Sequence, residues 1–352
     1  MNIKDLIQRI EPSDPQALDA ALAHWDSLAK PLGSLGVLES DITKICTLKQ
    51  TDSPRLEKRT LFVICADNGV IAQGVSQSDE SVTEAVAAAL GEGISTVNYM
   101  ADTAGCTVIP VDAGMKAENT PRGVLPMKIR RGTADMTTGP AMTREDCEDA
   151  ILKGAELVHI EHVNGTDVIL LGEMGIGNTT TSTAVASVLL DKSPGELAGR
   201  GAGLSDDGLK RKIRAIEAAI SINHPDSSDP VDILSKVGGF DLAMLTGICL
   251  GAAVYRIPVI LDGVITNTAA LCAVRLCADT RNALIASHVS SEPAAELLLS
   301  ALGLEPCINA GLHLGEGSGA VLALPLLDQA MAVYSSGHTF SHLGIDAYIH
   351  QN

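Results

Sequence analysis

Two stretches of this chain combine residue types that can do chemistry. The first is residues 168–183, VILLGEMGIGNTTTST, where a buried-strand pattern stops at Gly172 and a glycine-rich turn leads into hydroxyl residues. Glycines let backbone approach a ligand closely, and the N–H groups of a first helical turn suit an anion. A phosphate is therefore expected on Gly175, Gly177, Asn178, Thr179 and Thr180. The turn is not a P-loop, because no Lys follows its second glycine, and the dinucleotide fingerprint is incomplete. The same pattern also serves turns that only connect a strand to a helix. The second stretch is LHLGEGSGAVLALPL, which isolates Glu316 between Gly315 and Gly317. Burial beside the apolar helix that follows would raise this carboxyl's pKa and make it a general base. The alternative is a first-turn Glu favoured by the helix dipole.

Other residues group around these. Glu173 follows the strand and is suited to bonding ribose hydroxyls or positioning a second group, or else is a turn acid. GRGAGL at 199–204 adds Gly201 and Gly203, and Lys212 on the next helix either pairs with a phosphate or is solvated. His288 can hydrogen-bond a sugar or serve the core. No His/Cys ligand cluster indicates a metal, no cofactor is expected, and no G-x-S-x-G marks a hydrolase elbow. Transfer from diphosphate-activated ribose would show paired acids after an apolar strand; here Gly172-Glu173-Met174 offers one. The sum is a sugar-phosphate substrate, one catalytic carboxylate and no metal.

These groups need a scaffold that sends several strand ends to one rim. Apolar runs at 61–66, 107–111, 168–171, 258–261 and 284–287 alternate with helical stretches, one of them spanning 81–104. Continuous apolar strands between helices predict a doubly wound, mostly parallel α/β sheet, with ligands beyond the carboxyl ends. Those ends carry Asp67-Asn68-Gly69, Asp112-Ala113-Gly114, Gly172-Glu173-Met174 and Asp262-Gly263. Helical spacing at 2–10, 14–30 (capped by Ser13) and 37–48 comes before any strand. A small helical lobe over 1–58, completed by about 334–352, is therefore expected beside a Rossmann-like domain over 59–333.

Composition sets further bounds. The 352 residues carry a net charge of −18, which argues against phosphate-neutralising contact with nucleic acid. With 46% apolar but only 2% aromatic residues, the core must be aliphatic. The eight cysteines form no C-x-x-C pair, consistent with reduced thiols in a cytoplasmic protein. The N-terminus lacks a signal-peptide pattern. The most apolar window, 242–261, is broken by Gly247, Gly251, Arg256 and Pro258, so no membrane span is expected.

At this point the chain resembles the nicotinate-nucleotide:5,6-dimethylbenzimidazole phosphoribosyltransferase family of cobamide assembly. Eight segments in order carry the likeness: KPLGSLG at Lys30, CADNGV at Cys65, GPAM at Gly139, GEMGIGNTT at Gly172, SKVGGFDLAMLTG at Ser235, PVILDG at Pro258, SHVSSE at Ser287 and LGEGSGAVLALPL at Leu314. The resemblance implies a doubly wound domain with a helical lobe from both chain ends, usually a homodimer. It implies transfer of ribose phosphate from nicotinate mononucleotide to an aromatic base, with inversion at C1′. It places the general base at Glu316, an active-site acid at Glu173, the phosphate loop at 175–180, and nucleotide contacts at Gly201, Gly203 and Lys212. Three acceptor-side positions depart from the family's pattern: Asn68 in place of His, Asp79 in place of a Pro after Ser78, and Val86 in place of Gln. The rival reading is the same chemistry on phenol or p-cresol, possibly with a paralogous partner chain, and another is a non-catalytic nucleotide-binding subunit.

Overall fold

The computed structural model describes residues 2–350; Met1 and 351–352, the outer ends of the expected lobe, lie outside the described residues. Among the described residues eight strands form: β1 (Arg59–Ala66), β2 (Cys106–Gly114), β3 (Leu125–Pro126), β4 (Val168–Met174), β5 (Val259–Leu261), β6 (Leu284–Ala286), β7 (His288–Ser290) and β8 (Ile308–Leu312). The first six make one sheet in the order β3-β2-β1-β4-β5-β6, and every pairing in it is parallel. From β1 the chain winds outward through β2 and β3, then crosses to β4 on the other side of β1. The reversal opens a crevice beyond the carboxyl ends of β1 and β4, the place where such sheets bind ligands.

Period-two alternation explains the layering. Phe62, Ile64, Ile169 and Leu171 join one hydrophobic cluster, whereas Leu61, Val63, Val168 and Leu170 join the other. Strands buried on both faces read as unbroken apolar runs, which is why they stand out in the sequence. The first face is covered chiefly by α6 (Arg144–Asn164), α7 (Asn178–Leu190), α10 (Pro230–Val237), α11 (Phe240–Tyr255), α12 (Val264–Leu276) and α13 (Ala295–Leu302). The second is covered by α2 (Pro15–Ser27), α3 (Val37–Lys49), α4 (Ser81–Glu92), α5 (Thr96–Thr103) and α14 (Ser318–Tyr334). Short helices α1 (Ile3–Ile7), α8 (Pro194–Leu197) and α15 (Phe340–Leu343), and the longer α9 (Asp206–Asn223), complete the set.

Several local expectations change. The helix expected over 81–104 is two, because Gly93 takes a left-handed φ of 79° that closes α4. Ser95 and Asn98 then form a capping box that starts α5. The cap of α2 is Asp14, whose carboxylate accepts the Gln16 N–H at 2.9 Å, rather than Ser13. The run expected as one strand over 284–287 breaks at Ser287. After it, β7 leaves the main sheet and pairs with β8, a strand whose mixed sequence gives no apolar run. β3 likewise has no counterpart among the expected strands, since its two residues are exposed.

Candidate active site

A cavity of about 320 Å³ lies at the switch point. Its walls come from the end of β4, the β5–α12 turn, β7 and the residues after it, the β8–α14 turn, the start of α4 and the 199–203 loop. Of the expected residues, Glu316, Glu173, Gly175, Asn178, Thr179, Gly201, Ser78 and Val86 line it. Gly177, Thr180, Lys212 and Asn68 are buried and do not line it, and Gly203, exposed, does not line it either.

Glu316 sits in a run of three left-handed residues, with φ of 85° at Gly315, 59° at Glu316 and 90° at Gly317. A left-handed glutamate is disfavoured and persists only where its surroundings hold it. Three features hold this one. Asp262 accepts the Gly317 N–H at 3.2 Å and the Gly319 N–H at 2.7 Å. The Val97 N–H, at the start of α5, donates to Glu316 Oε2 at 3.3 Å. The Glu316 carbonyl presses on β4 where a side chain at Gly172 would place its Cβ 2.4 Å away. Because α14 begins at Ser318 with Gly317 as its cap, Glu316 precedes the helix and is not a first-turn acid. It is half-buried, so the dry environment expected for it is only partly present.

The deeply buried acid is Glu173. Loss of solvent raises its pKa to about 8, and neighbouring Asp241 and Asp262 push the same way. The Asn178 side-chain amide donates to it, opposing the rise. Near neutrality Glu173 is therefore predominantly protonated and can donate a hydrogen bond. Asp241, fully buried beneath, is raised to about 6 for the same leading reason. Asp262 is also raised by burial, against the opposing pull of His288.

The glycine turn forms as expected, but several of its amides are already used. The Ile176 N–H donates to Thr83 Oγ1 at 3.1 Å, Asn178 N–H to the Gly175 carbonyl and Thr180 N–H to that of Gly177. Gly177, with φ of 96°, turns the chain into α7, and a Cβ there would lie 3.2 Å from Asn68 Cβ. Lys212 is not a solvated helix lysine. It is fully buried, donating to Thr179 Oγ1 at 2.9 Å and to the Gly199 carbonyl at 3.0 Å. Burial lowers its pKa to about 8, with Glu292 acting the other way.

Ser78, Val82, Val86, Met174, Ile176 and Leu314 give the cavity a largely apolar wall. Asn68 is displaced from it: fully buried, it takes a hydrogen bond from Thr181 Oγ1 at 3.4 Å and buttresses the glycine turn. Asp79 accepts the Ser81 N–H at 3.0 Å at the start of α4, so this departure from the family pattern serves a helix end. His288 lines the cavity, shares a 3.0 Å hydrogen bond with Ser287 Oγ and lies 3.9 Å from Asp262. Burial holds its imidazole below the usual value.

Asp262, Ser290, Glu292 and His313 also line the cavity. Asp262 carried a signal, an acid directly after a strand, but so did two acids with other work. Asp67 accepts the Lys116 N–H at 2.7 Å, and Asp112 accepts the Met115 N–H at 2.9 Å, both in turns. Ser290, Glu292 and His313 belong to the unexpected β7–β8 unit or its flanks; SHVSSE and LHLGEGSGAVLALPL contain them, but neither stretch singled them out as site residues.

The family model described as Phosphoribosyltransferase matches residues 10–345. The nicotinate-nucleotide–dimethylbenzimidazole phosphoribosyltransferase of Acetivibrio thermocellus is 43% identical over 95% of each chain. That of Ruminiclostridium cellulolyticum is 42% identical over 99% of each. The crystal structure of the Thermus thermophilus enzyme of the same name superposes with a TM-score of 0.89 at 35% identity, covering 95% of this chain and 100% of that one. These names specify a benzimidazole acceptor, and the phenolic alternative gains no support from them. With the acid at 316, the glycine turn and the apolar wall meeting in one cavity, the chain belongs to the nicotinate-nucleotide–dimethylbenzimidazole phosphoribosyltransferase family.

Proposed function

We propose that this chain transfers the phosphoribosyl group of nicotinate mononucleotide to 5,6-dimethylbenzimidazole, giving the α-riboside 5′-phosphate and nicotinate for cobamide assembly. The observation that carries the reading is Glu316, held by backbone at the wall of the cavity that the glycine turn also lines. In this reading the phosphate lies against Gly175, Asn178, Thr179 and Gly201, with Gly177, Thr180, Gly203 and Lys212 shaping that wall. The base lies against Ser78, Val86 and Leu314, with Asn68 in support. The C1′–N bond to the pyridinium breaks and its electron pair returns to the ring nitrogen, which leaves neutral. One benzimidazole nitrogen attacks C1′ from the opposite face, and the proton on the other passes to the Glu316 carboxylate. A cationic leaving group needs no acid catalyst, so much of the acceleration comes from aligning the two rings. Protonated Glu173 is placed to donate to a ribose oxygen.

Purified protein with nicotinate mononucleotide and dimethylbenzimidazole should release nicotinate and the α-riboside phosphate in equal amounts, followed by chromatography. Absence of both products overturns the reading. We also infer a small lobe from 1–58 and 334–352. Its support is the His24 Nε2 contact with the Tyr334 carbonyl at 2.7 Å, the Ala29 N–H bond to the His338 carbonyl at 2.8 Å, and the Leu28–Thr339 bridge. A homodimer is consistent with Tyr99 and Ile94, exposed at 63% and 54%. No helix among the described residues is long and apolar enough to cross a membrane, and all eight cysteines are free thiols, which suits the cytoplasm.

A further inference from the structure

The phosphate side of the cavity contains an acid. Glu292, after β7, lines the cavity beside Gly201. A carboxylate there should repel a phosphate unless its charge is already engaged. Its surroundings show that engagement. Glu292 Oε1 accepts the Gly201 N–H at 3.0 Å, and its other oxygen lies so close to Gly199 that a Cβ there would be 1.7 Å away. Lys212 reaches Gly199 from the other side, donating to its carbonyl. The 199–203 loop is thus gripped between a buried ammonium and a carboxylate.

We propose that Glu292 is a positioning residue for the phosphate: it fixes the 199–203 loop through Gly201 and supplies the counter-charge that keeps buried Lys212 protonated. The inference rests on the functional reading above for the identity of the ligand. The electrostatics around Lys212 support it. α7 presents only the Thr179 hydroxyl, and the loop only a carbonyl. Arg211, the preceding residue on α9, turns to the Gly74 carbonyl. On the packed helices, Glu196 of α8 pairs with Lys192, and Asp232 of α10 with Lys236. Glu292 is the charge that acts on the ammonium, against the burial that favours its neutral form. A neutral Lys212 would leave the phosphate wall without its cation.

Glu292→Gln separates the two roles, because the amide oxygen can still accept the Gly201 N–H while the charge is gone. Calorimetry of nicotinate mononucleotide binding from pH 6 to 9, with steady-state kinetics, tests this. Wild type should lose affinity as Lys212 deprotonates near its pKa of about 8. Glu292→Gln should match it at the acid end and lose affinity at a midpoint lower by about one pH unit, one unit being a tenfold change in the protonation equilibrium. Glu292→Ala should raise KM roughly tenfold at every pH, since the loop also loses its anchor. The change falls on KM rather than kcat. With Lys212→Met as background the loss of affinity near pH 8 should be absent, and Glu292→Gln should add no further pH dependence between pH 6 and 9. An identical midpoint in wild type and Glu292→Gln overturns the inference, as does a normal KM in Glu292→Ala. Inorganic phosphate, titrated in parallel, carries neither ribose nor base. If it shows the shifted midpoint while wild type fails to bind nicotinate mononucleotide, the functional reading falls and the inference stands.

Discussion

Replacing Gly172 by Ala would test whether the backbone holds Glu316, the proposed general base. An alanine Cβ at 172 would stand 2.4 Å from the Glu316 carbonyl oxygen, 2.5 Å from its carbon and 2.7 Å from the Gly317 nitrogen. Non-bonded heavy atoms are comfortable at about 3.5 Å, so the β8–α14 turn must retreat by about 1 Å. It cannot do so freely, because Asp262 holds Gly317 and Gly319 from one side and Val97 holds the carboxylate from the other. A displacement of about 1 Å at a reacting group costs roughly 100-fold in rate. Overpacking a strand against a turn costs about 1–3 kcal/mol of stability. The expected outcome is a folded protein with a modestly lower melting temperature, kcat down roughly 100-fold, and nucleotide KM within about threefold of wild type. Gly139→Ala is the control, because nothing lies within 4 Å of a Cβ there. Nicotinate release by chromatography gives the rates, and calorimetric melting gives the stability. A folded Gly172→Ala enzyme with kcat within about threefold of wild type would refute the argument that this contact sets the position of Glu316.

Other expectations follow from the same geometry. Glu316→Gln keeps an oxygen for the Val97 N–H but cannot take a proton, so kcat should fall at least roughly 100-fold while calorimetry shows nearly unchanged nucleotide binding. Glu173 binds its proton more tightly folded, at about 8, than at its ordinary 4.5. The folded state therefore holds more protons between those values, and stability is lost as pH rises through that window. Glu173→Gln should flatten this decline, and equal melting-temperature slopes from pH 5 to 8 in both proteins would contradict the assignment. Val86→Gln puts an amide on the apolar acceptor wall, so competition between dimethylbenzimidazole and plain benzimidazole should become more selective. An unchanged product ratio would reduce Val86 to a packing position.

Legibility in the sequence followed local physics. β1 and β4 were readable because both of their faces are buried, leaving nothing polar to interrupt the run. β7 and β8 were not, because β8 is mostly exposed and its residues, INAGL, alternate without an apolar face. The two-helix break at 93–95 had its signal, Gly93 followed by Ser95, but the apolar content on both sides masked it. Glu316 was legible through its flanking glycines. Lys212 was ambiguous because burial of a lysine depends on what folds over it, and here the cover is the distant 199–203 loop and Thr179.

The rim acids show why spacing alone cannot assign roles. Asp67, Asp112, Glu173 and Asp262 all end or follow apolar strands. Asp67 follows β1 and accepts the Lys116 N–H; Asp112, in β2, accepts the Met115 N–H and the Thr120 hydroxyl and pairs with Lys128 at 3.2 Å. Glu173 and Asp262 belong to β4 and β5, across the switch point. There the β8–α14 turn lies over the sheet end, so Asp262 meets the amides of Gly317 and Gly319, and Glu173 is buried at the cavity wall. Strand order, which only long-range pairing decides, thus separates two structural acids from two that build the site. Glu316, the proposed general base, comes from a turn whose conformation Asp262 fixes from 54 residues earlier in the chain, roughly the length of a whole βαβ unit with its next helix.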